Sequence, residues 1–264
     1  MDVENANGIK IWYQVVSSRK RLPRFLNELQ RQCDAVVSAG TQVDVRGTES
    51  GGVGDQFLSI RHLHGSEMIQ TASHEFASGR YHAYAMANSM DPALAELREL
   101  LDAPVLSFME VGCFLASLVG ERLGIVTPNE KMARVISSLI ESYGLGRRLV
   151  GIESIGLDHI PDFDRAVASH EASAPILQDV GRQAERLVER GAEVLLTPGP
   201  IACLIARDHI YEMAGVPVID MYGGLAKVSE AAAFLREKCG LQTSRHGMFA
   251  APSPEILAEA LADS

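Results

Sequence analysis

Short apolar runs alternate with longer amphipathic segments along most of the chain. Residues 9–16 (IKIWYQVV) read as a strand, and 22–39 carry apolar residues at helical spacing. A second strand at 41–45 runs into the glycine-rich GTESGGVGD, followed by a helix over 68–78 and a short strand at 84–87. Asp91-Pro opens a helix over 91–101, because proline in the first turn loses no needed hydrogen bond. The pattern then repeats. Strands are predicted at 105–108, 123–126, 149–155, 194–196 and 216–219. Between and after them, helices are predicted at 111–119, 131–143, 174–190, 201–214 and 224–235, with Gly144 as a left-handed stop for the second.

Strands alternating with helices of this length imply right-handed crossovers and mainly parallel sheets covered on both faces. Asn88-Ser-Met-Asp-Pro and Thr197-Pro-Gly-Pro occupy equivalent strand–turn–helix positions in two successive series. The expected fold is therefore α/β in two lobes, each a mainly parallel sheet flanked by helices, with the site in the inter-lobe cleft. The expected boundaries are 1–104 plus 222–264 for the first lobe and 105–221 for the second. Residues after Gly240 are less regular and read as an appendage ending in a short helix over 254–261.

With 264 residues, 47% of them hydrophobic, the chain can bury a sizeable core without disulfide or metal staples. A formal charge of −10 argues against a nucleic-acid partner, which wants a basic face. Four cysteines (Cys33, Cys113, Cys203, Cys239) form no CxxC pair and no disulfide framework. The acidic start MDVEN is unlike a secretory leader, and the longest near-apolar stretch, 105–120, contains Glu110, so no membrane partner is expected. The expected location is the reducing cytoplasm.

In open parallel sheets, ligands bind beyond the carboxyl ends of the strands. The loops there are 14–18, 47–55, 88–91, 110, 127–129, 197–200 and 220–224, several leading into helices whose free N–H groups favour a compact anion. The cluster Gly51-Gly-Val-Gly54 lacks both GxGxxG and a P-loop lysine, and reads as a loop over a cleft. His62-Leu-His64 would put two imidazoles on one face of an extended segment, with Glu49, His74 or Glu75 as a third ligand if a metal were held; none is assigned. His159, His170, His209 and His246 read as surface or packing residues, and Cys33 and Cys113 as core. Cys203, one turn into a helix begun by Pro200, reads as buried filler, with a reactive thiolate as its alternative.

Several motifs together resemble the aspartate/glutamate/hydantoin racemase superfamily, its hydantoin racemase branch above all. They are TQVDVRG at 41–47, Asp91-Pro-Ala-Leu, Ala103-Pro-Val, Glu110, Leu115-Ala-Ser, Gly124-Ile-Val-Thr, Tyr143-Gly-Leu and Gly215-Val-Pro-Val-Ile-Asp, spread over roughly 9–236. The resemblance implies pseudo-symmetric lobes, no cofactor, a small-molecule substrate and a homo-oligomer. It also implies proton transfer by two cysteines, one from each lobe. This sequence departs from that pattern at both places: Asn88 stands at the first cysteine position, and Gly199 or Pro200 at the second. Gln14 stands where the family has an asparagine, and Glu110 reads as a structural carboxylate satisfying helix N–H groups.

What survives is a cradle for a carboxylate or developing oxyanion, made by Asn88, Ser89, Thr127, Thr197 and the turn at Gly199 and Pro200, with Gln14 beside it. The nearest titratable groups are Glu49, His64 and Tyr13. The reading placed first is hydrolysis or ring opening of a small carboxylate or a cyclic amide or lactone, cofactor-independent or metal-assisted, with Glu49 or His64 activating water and Asn88 and the Thr197–Pro200 turn holding the oxyanion. The alternatives are an isomerase, racemase or decarboxylase working without the thiol pair, and a non-catalytic carboxylate-binding protein.

Overall fold

The structure is a computed structural model that describes residues 8–158, 162–253, 255–257 and 259. The first sheet is built from β1 (Lys10–Gln14), β2 (Gln42–Arg46), β3 (Ala83–Met86) and β4 (Val105–Ser107), all parallel in the order β2-β1-β3-β4. The second holds β5 (Leu123–Thr127), β6 (Leu149–Ser154) and β7 (Val194–Leu196), parallel in the order β6-β5-β7. A two-residue antiparallel pair, β8 (Glu212–Met213) and β9 (Val216–Pro217), hangs beside β7, where Leu195 bridges Val218. The helices are α1 (Pro23–Val36), α2 (Leu58–Phe76), α3 (Leu94–Leu100), α4 (Phe108–Ser117), α5 (Glu130–Ser142), α6 (Asp162–Ala168), α7 (His170–Glu189), α8 (Pro200–Arg207) and α9 (Met221–Cys239). This is the α/β arrangement of parallel sheets and flanking helices that the alternating pattern implied.

One apolar cluster runs through both sheets, from Ile11, Tyr13 and Leu26 to Leu195 and Leu204. Because side chains alternate along a strand, Trp12 points the other way, into a smaller cluster with Met68, Tyr84 and Leu97 under α2 and α3. Two helices join the halves. Helix α4 follows β4 directly and packs on both α9 and β7, and α9 lies across β1, β3 and β4.

Several elements differ from the sequence expectation, each for a readable reason. Helix α2 begins ten residues before the predicted Met68 because it buries only a narrow stripe, His64, Gly65, Met68 and Ala72, so its polar first turns carry little periodicity. His62 and His64 therefore sit on a helix, where residues two apart do not face one another. Asp91-Pro does not start a helix. Asp91 (φ 45°) and Ala93 (φ 58°) are both left-handed, and α3 begins at Leu94. The helix predicted over 201–214 stops at Arg207, whose guanidinium binds Asp208 and the carbonyls of Ala166 and Val167, at 2.7 and 2.9 Å. His209, Ala214 and Gly215 then adopt positive φ and turn the chain into β8–β9. Helix α6 was not predicted. Of the expected final helix, only 255–257 and 259 lie among the described residues, and His159 lies outside them.

Helix α1 has no side-chain cap of its own at Leu22. The missing acceptor comes from α6, where Asp164 Oδ1 takes the N–H groups of Arg24 (2.9 Å) and Phe25 (3.0 Å). This stands in for a local cap, satisfying two of the orphan donors of the first turn.

Candidate functional site

The carboxyl ends of β1, β3 and β7 converge on one narrow cleft, open to solvent at its mouth. Its first side is the turn after β3, with Asn88, Ser89 and Met90; the facing side is the turn after β7, with Gly199 and Pro200. The two equivalent turns of the sequence thus meet across a single space. Tyr222 at the start of α9, Phe25 of α1 and Met132 of α5 add apolar walls, while Ser17, Asp55 and Gln56 border the rest.

Asn88 is oriented by its own backbone. Its Oδ1 accepts the Met90 N–H at 2.9 Å, and since an N–H only donates, the amide orientation follows. Nδ2 is left without a protein partner among the described residues, available to a ligand oxygen. Gly199 takes φ 79° and ψ −158° as the residue before α8, a conformation that favours glycine. Pro200 opens the helix without an N–H, so it lines the cleft with its ring and contributes no donor.

The other expected binding residues lie elsewhere. Gln14 is buried behind the first sheet, its Oε1 accepting Trp12 Nε1 (3.0 Å) and Tyr84 OH (2.7 Å). Thr127 and Thr197 are fully buried at the ends of β5 and β7, and neither lines the cleft. Thr127 donates to the Asn129 carbonyl, and Thr197 Oγ1 has no partner among the described residues. Tyr13 donates to the Tyr222 carbonyl at 3.0 Å, and burial holds its phenol well above the ordinary range.

The loop between β2 and α2 is stitched over the cleft. Thr48 Oγ1 donates to the Val16 carbonyl (2.5 Å) and accepts the Gly51 N–H (3.0 Å), and Ser18 N–H donates to the Gly51 carbonyl (3.1 Å). A Cβ at Gly51 would stand 1.8 Å from the Val16 carbonyl oxygen, so this approach requires glycine. Glu49 sits at the exposed outer edge of the loop, its N–H donating to Glu67 Oε1 at 2.5 Å. His64 is buried on α2, outside the cleft lining, with Nδ1 unpartnered.

The carboxylate that the loop does bring to the cleft is Asp55, at the end of the glycine run. Among the described residues its Oδ1 is buried with no partner, and burial raises its pKa, offset in part by His64 nearby and by the backbone N–H groups of Asp55 and Gly52. Sequence reading passed over Asp55 in favour of Glu49, six residues earlier in the same loop. The available signal was its place after Gly52 and Gly54, both at positive φ, which fold the loop's end back inward.

The cysteines take no part in the cleft. Cys203 is fully buried, within 3.7 Å of Gln32 Nε2, and burial pushes its thiol far above the ordinary range. Cys33 is buried and shifted in the same direction, and burial pushes Cys113 up to about 12. Glu110 is structural, but its partner is the guanidinium of Arg98 rather than a row of helix N–H groups. The described residues gather no cluster of three His, Cys, Asp or Glu groups able to hold a metal, and no described helix is long and apolar enough to cross a membrane.

Beside the cleft wall, Asp91 Oδ2 accepts from Ser107 Oγ (2.5 Å) and from the Tyr143 hydroxyl, while Oδ1 is buried without a partner. Burial pushes Asp91 up to about 6 against these two hydrogen bonds. A carboxyl whose folded pKa is raised binds its proton more tightly when folded. Its stabilising contribution is full below the ordinary value of 3.8 and is lost as pH rises through about 6. Urea unfolding at pH 5 and pH 7.5 is expected to show about 1–2 kcal/mol more stability at the lower pH from this group. Asp91→Asn should remove that increment, and an identical pH dependence in the variant would refute the assignment.

The sequence profile of the Asp/Glu/hydantoin racemase family matches residues 23–227. The hydantoin racemase of Pseudomonas sp. (strain NS671) is 30% identical over 184 residues, 70% of this chain and 69% of that one. The hydantoin racemase of Paenarthrobacter aurescens is 25% identical over 83% of this chain and 88% of its own length. Among solved structures, allantoin racemase from Klebsiella pneumoniae superposes with a TM-score of 0.75 at 20% identity, covering 93% of this chain and 94% of that one, a likeness of fold. These relatives are racemases, which are isomerases, and they overturn the hydrolysis or ring opening placed first from the sequence. The position of Glu49 at the outer edge of the loop leaves water activation there without a structural basis as well.

Proposed function

This chain belongs to the Asp/Glu/hydantoin racemase family, and on that premise we propose that it is a cofactor-independent isomerase of a small neutral cyclic ureide, of the hydantoin or allantoin kind. It inverts the carbon next to a ring carbonyl. The observation that carries this reading is the lining of the cleft. It combines apolar walls, neutral polar groups and a single carboxylate, Asp55. An amino-acid or dicarboxylate substrate would bring its own negative charge against Asp55 with no Lys or Arg among the lining residues to offset it. A neutral ring meets no such repulsion.

The reaction asks for a base near the ring carbon and a donor for the carbonyl oxygen as negative charge develops on it. Asn88 Nδ2 is the donor. With Asn88 and Gly199 or Pro200 standing where the resemblance places the two cysteines, the base is a group other than a thiol. The chain works in the reducing cytoplasm, where its four free cysteines stay reduced, and as a homo-oligomer. The test is incubation with single enantiomers of 5-benzylhydantoin and allantoin in D₂O near neutral pH. Loss of optical rotation together with deuterium at the stereocentre is expected above the uncatalysed rate. Binding by calorimetry with no exchange across the panel would overturn the isomerase reading in favour of a binding protein.

A further inference from the structure

We infer that Asp55 is the proton-transfer group of this site, doing with one carboxyl what the resemblance assigns to a pair of thiols. The inference rests on the isomerase reading above. Three observations converge on it. Asp55 is the one carboxylate among the described residues that line the cleft, which Asn88 and Gly199 also line. Its Oδ1 is buried with no hydrogen-bond partner among the described residues, a costly state for a carboxylate. The loop that carries it is held by Thr48, Gly51 and Ser18 against the end of β1, so the group stands on a fixed support. Behind it, buried His64 has its Nδ1 unpartnered as well. Burial also raises the affinity of Asp55 for a proton, making its ionised form a stronger base than an exposed carboxylate, while His64 nearby moderates the shift.

In the step this assigns, a carboxylate oxygen of Asp55 takes the proton from the ring carbon. The C–H electron pair becomes a C=C bond to the carbonyl carbon, and the carbonyl π pair moves onto oxygen, to which the Asn88 Nδ2–H donates a hydrogen bond. The neutral Asp55 acid then returns a proton to the planar carbon as the enolate collapses. Return to the original face restores the substrate, and return to the other face after the ring turns gives its mirror image. No oxidant or second substrate enters. One carboxyl holding the abstracted proton also predicts internal return: in D₂O, part of the first-formed product keeps the substrate's own hydrogen.

The experiment compares wild type, Asp55→Asn and Asp55→Glu with L-5-benzylhydantoin, following C–H exchange by NMR and inversion by polarimetry. Asp55→Asn is expected to lower both rates by about 10²–10⁴-fold, with probe affinity by calorimetry and the unfolding midpoint little changed. Asp55→Glu should restore a measurable part of the exchange. Wild-type rates in Asp55→Asn, with the parent enzyme active, would overturn the role of Asp55 and leave the isomerase reading standing. Inversion with complete deuterium incorporation from the first turnover would overturn the single-carboxyl step. A parent enzyme that exchanges neither probe removes the isomerase reading, and the role of Asp55 with it.

Discussion

Truncating Phe108 to alanine is expected to lower the unfolding free energy by about 3–5 kcal/mol, and the melting temperature by roughly 10 °C or more. Phe108 is fully buried at the first position of α4, directly after β4. Its ring lies 4.6 Å from that of Tyr222, which in turn lies 6.0 Å from Phe25. This aromatic row joins α4, α9 and α1, and Phe25 and Tyr222 are themselves walls of the cleft. Removing the ring therefore leaves a cavity in the core cluster where α4 and α9 meet. Chemical denaturation of the variant checks the figure, and a loss below about 1 kcal/mol would contradict the packing described. Probe affinity is expected to fall as well, because Tyr222 loses the neighbour that holds its ring.

Asn88→Ala is expected to lower the rate of C–H exchange by about 10²–10³-fold, the usual cost of removing one oriented oxyanion donor. The Met90 N–H fixes the amide so that Nδ2 is presented before the substrate arrives. Such a donor acts most strongly on charge that develops in the transition state, so the loss should fall on kcat, with KM changed much less. A change confined to KM would make Asn88 a binding group only, and a rate within about threefold of the parent would remove it from the reaction. Asn88→Asp separates the two effects further, since it keeps the shape but sets a second carboxylate beside Asp55.

Much of the fold was legible because local chemistry and the tertiary arrangement agreed. The apolar strand cores, the alternation with helices and the left-handed stop at Gly144 (φ 74°) are all local signals that the structure keeps. The Asp91 turn shows the opposite case. Asp-Pro is a sound helix start in isolation, yet here Ser107 and Tyr143 bind the Asp91 carboxylate from 16 and 52 residues away and the backbone turns left-handed instead. Helix α8 likewise obeys the carbonyls of Ala166 and Val167 and not its own apolar run.

At the site, the sequence brought Asn88, Ser89, Gly199 and Pro200 forward as equivalent turns, and these four do line one cleft. It put Glu49 forward and left Asp55 unnamed, because both lie in one glycine-rich loop and the difference is which way the loop folds. Positive φ at Gly52 and Gly54 and the Thr48 bond to Val16 decide that. Nor could it tell that Gln14 spends its acceptor on Trp12 and Tyr84, or that Asp164 caps a helix 140 residues upstream.

By itself, then, the sequence determined the α/β architecture, the family, and the departure from a thiol pair at Asn88 and at Gly199 or Pro200. The architecture follows from periodicity, a property of the chain at each position, and the family and the missing thiols follow from motifs that resemble known racemases. Only the tertiary structure decided which carboxylate reaches the cleft, which polar groups are already satisfied, and where helices end. Those depend on desolvation and on partners far apart in sequence, quantities that exist only once the chain has folded.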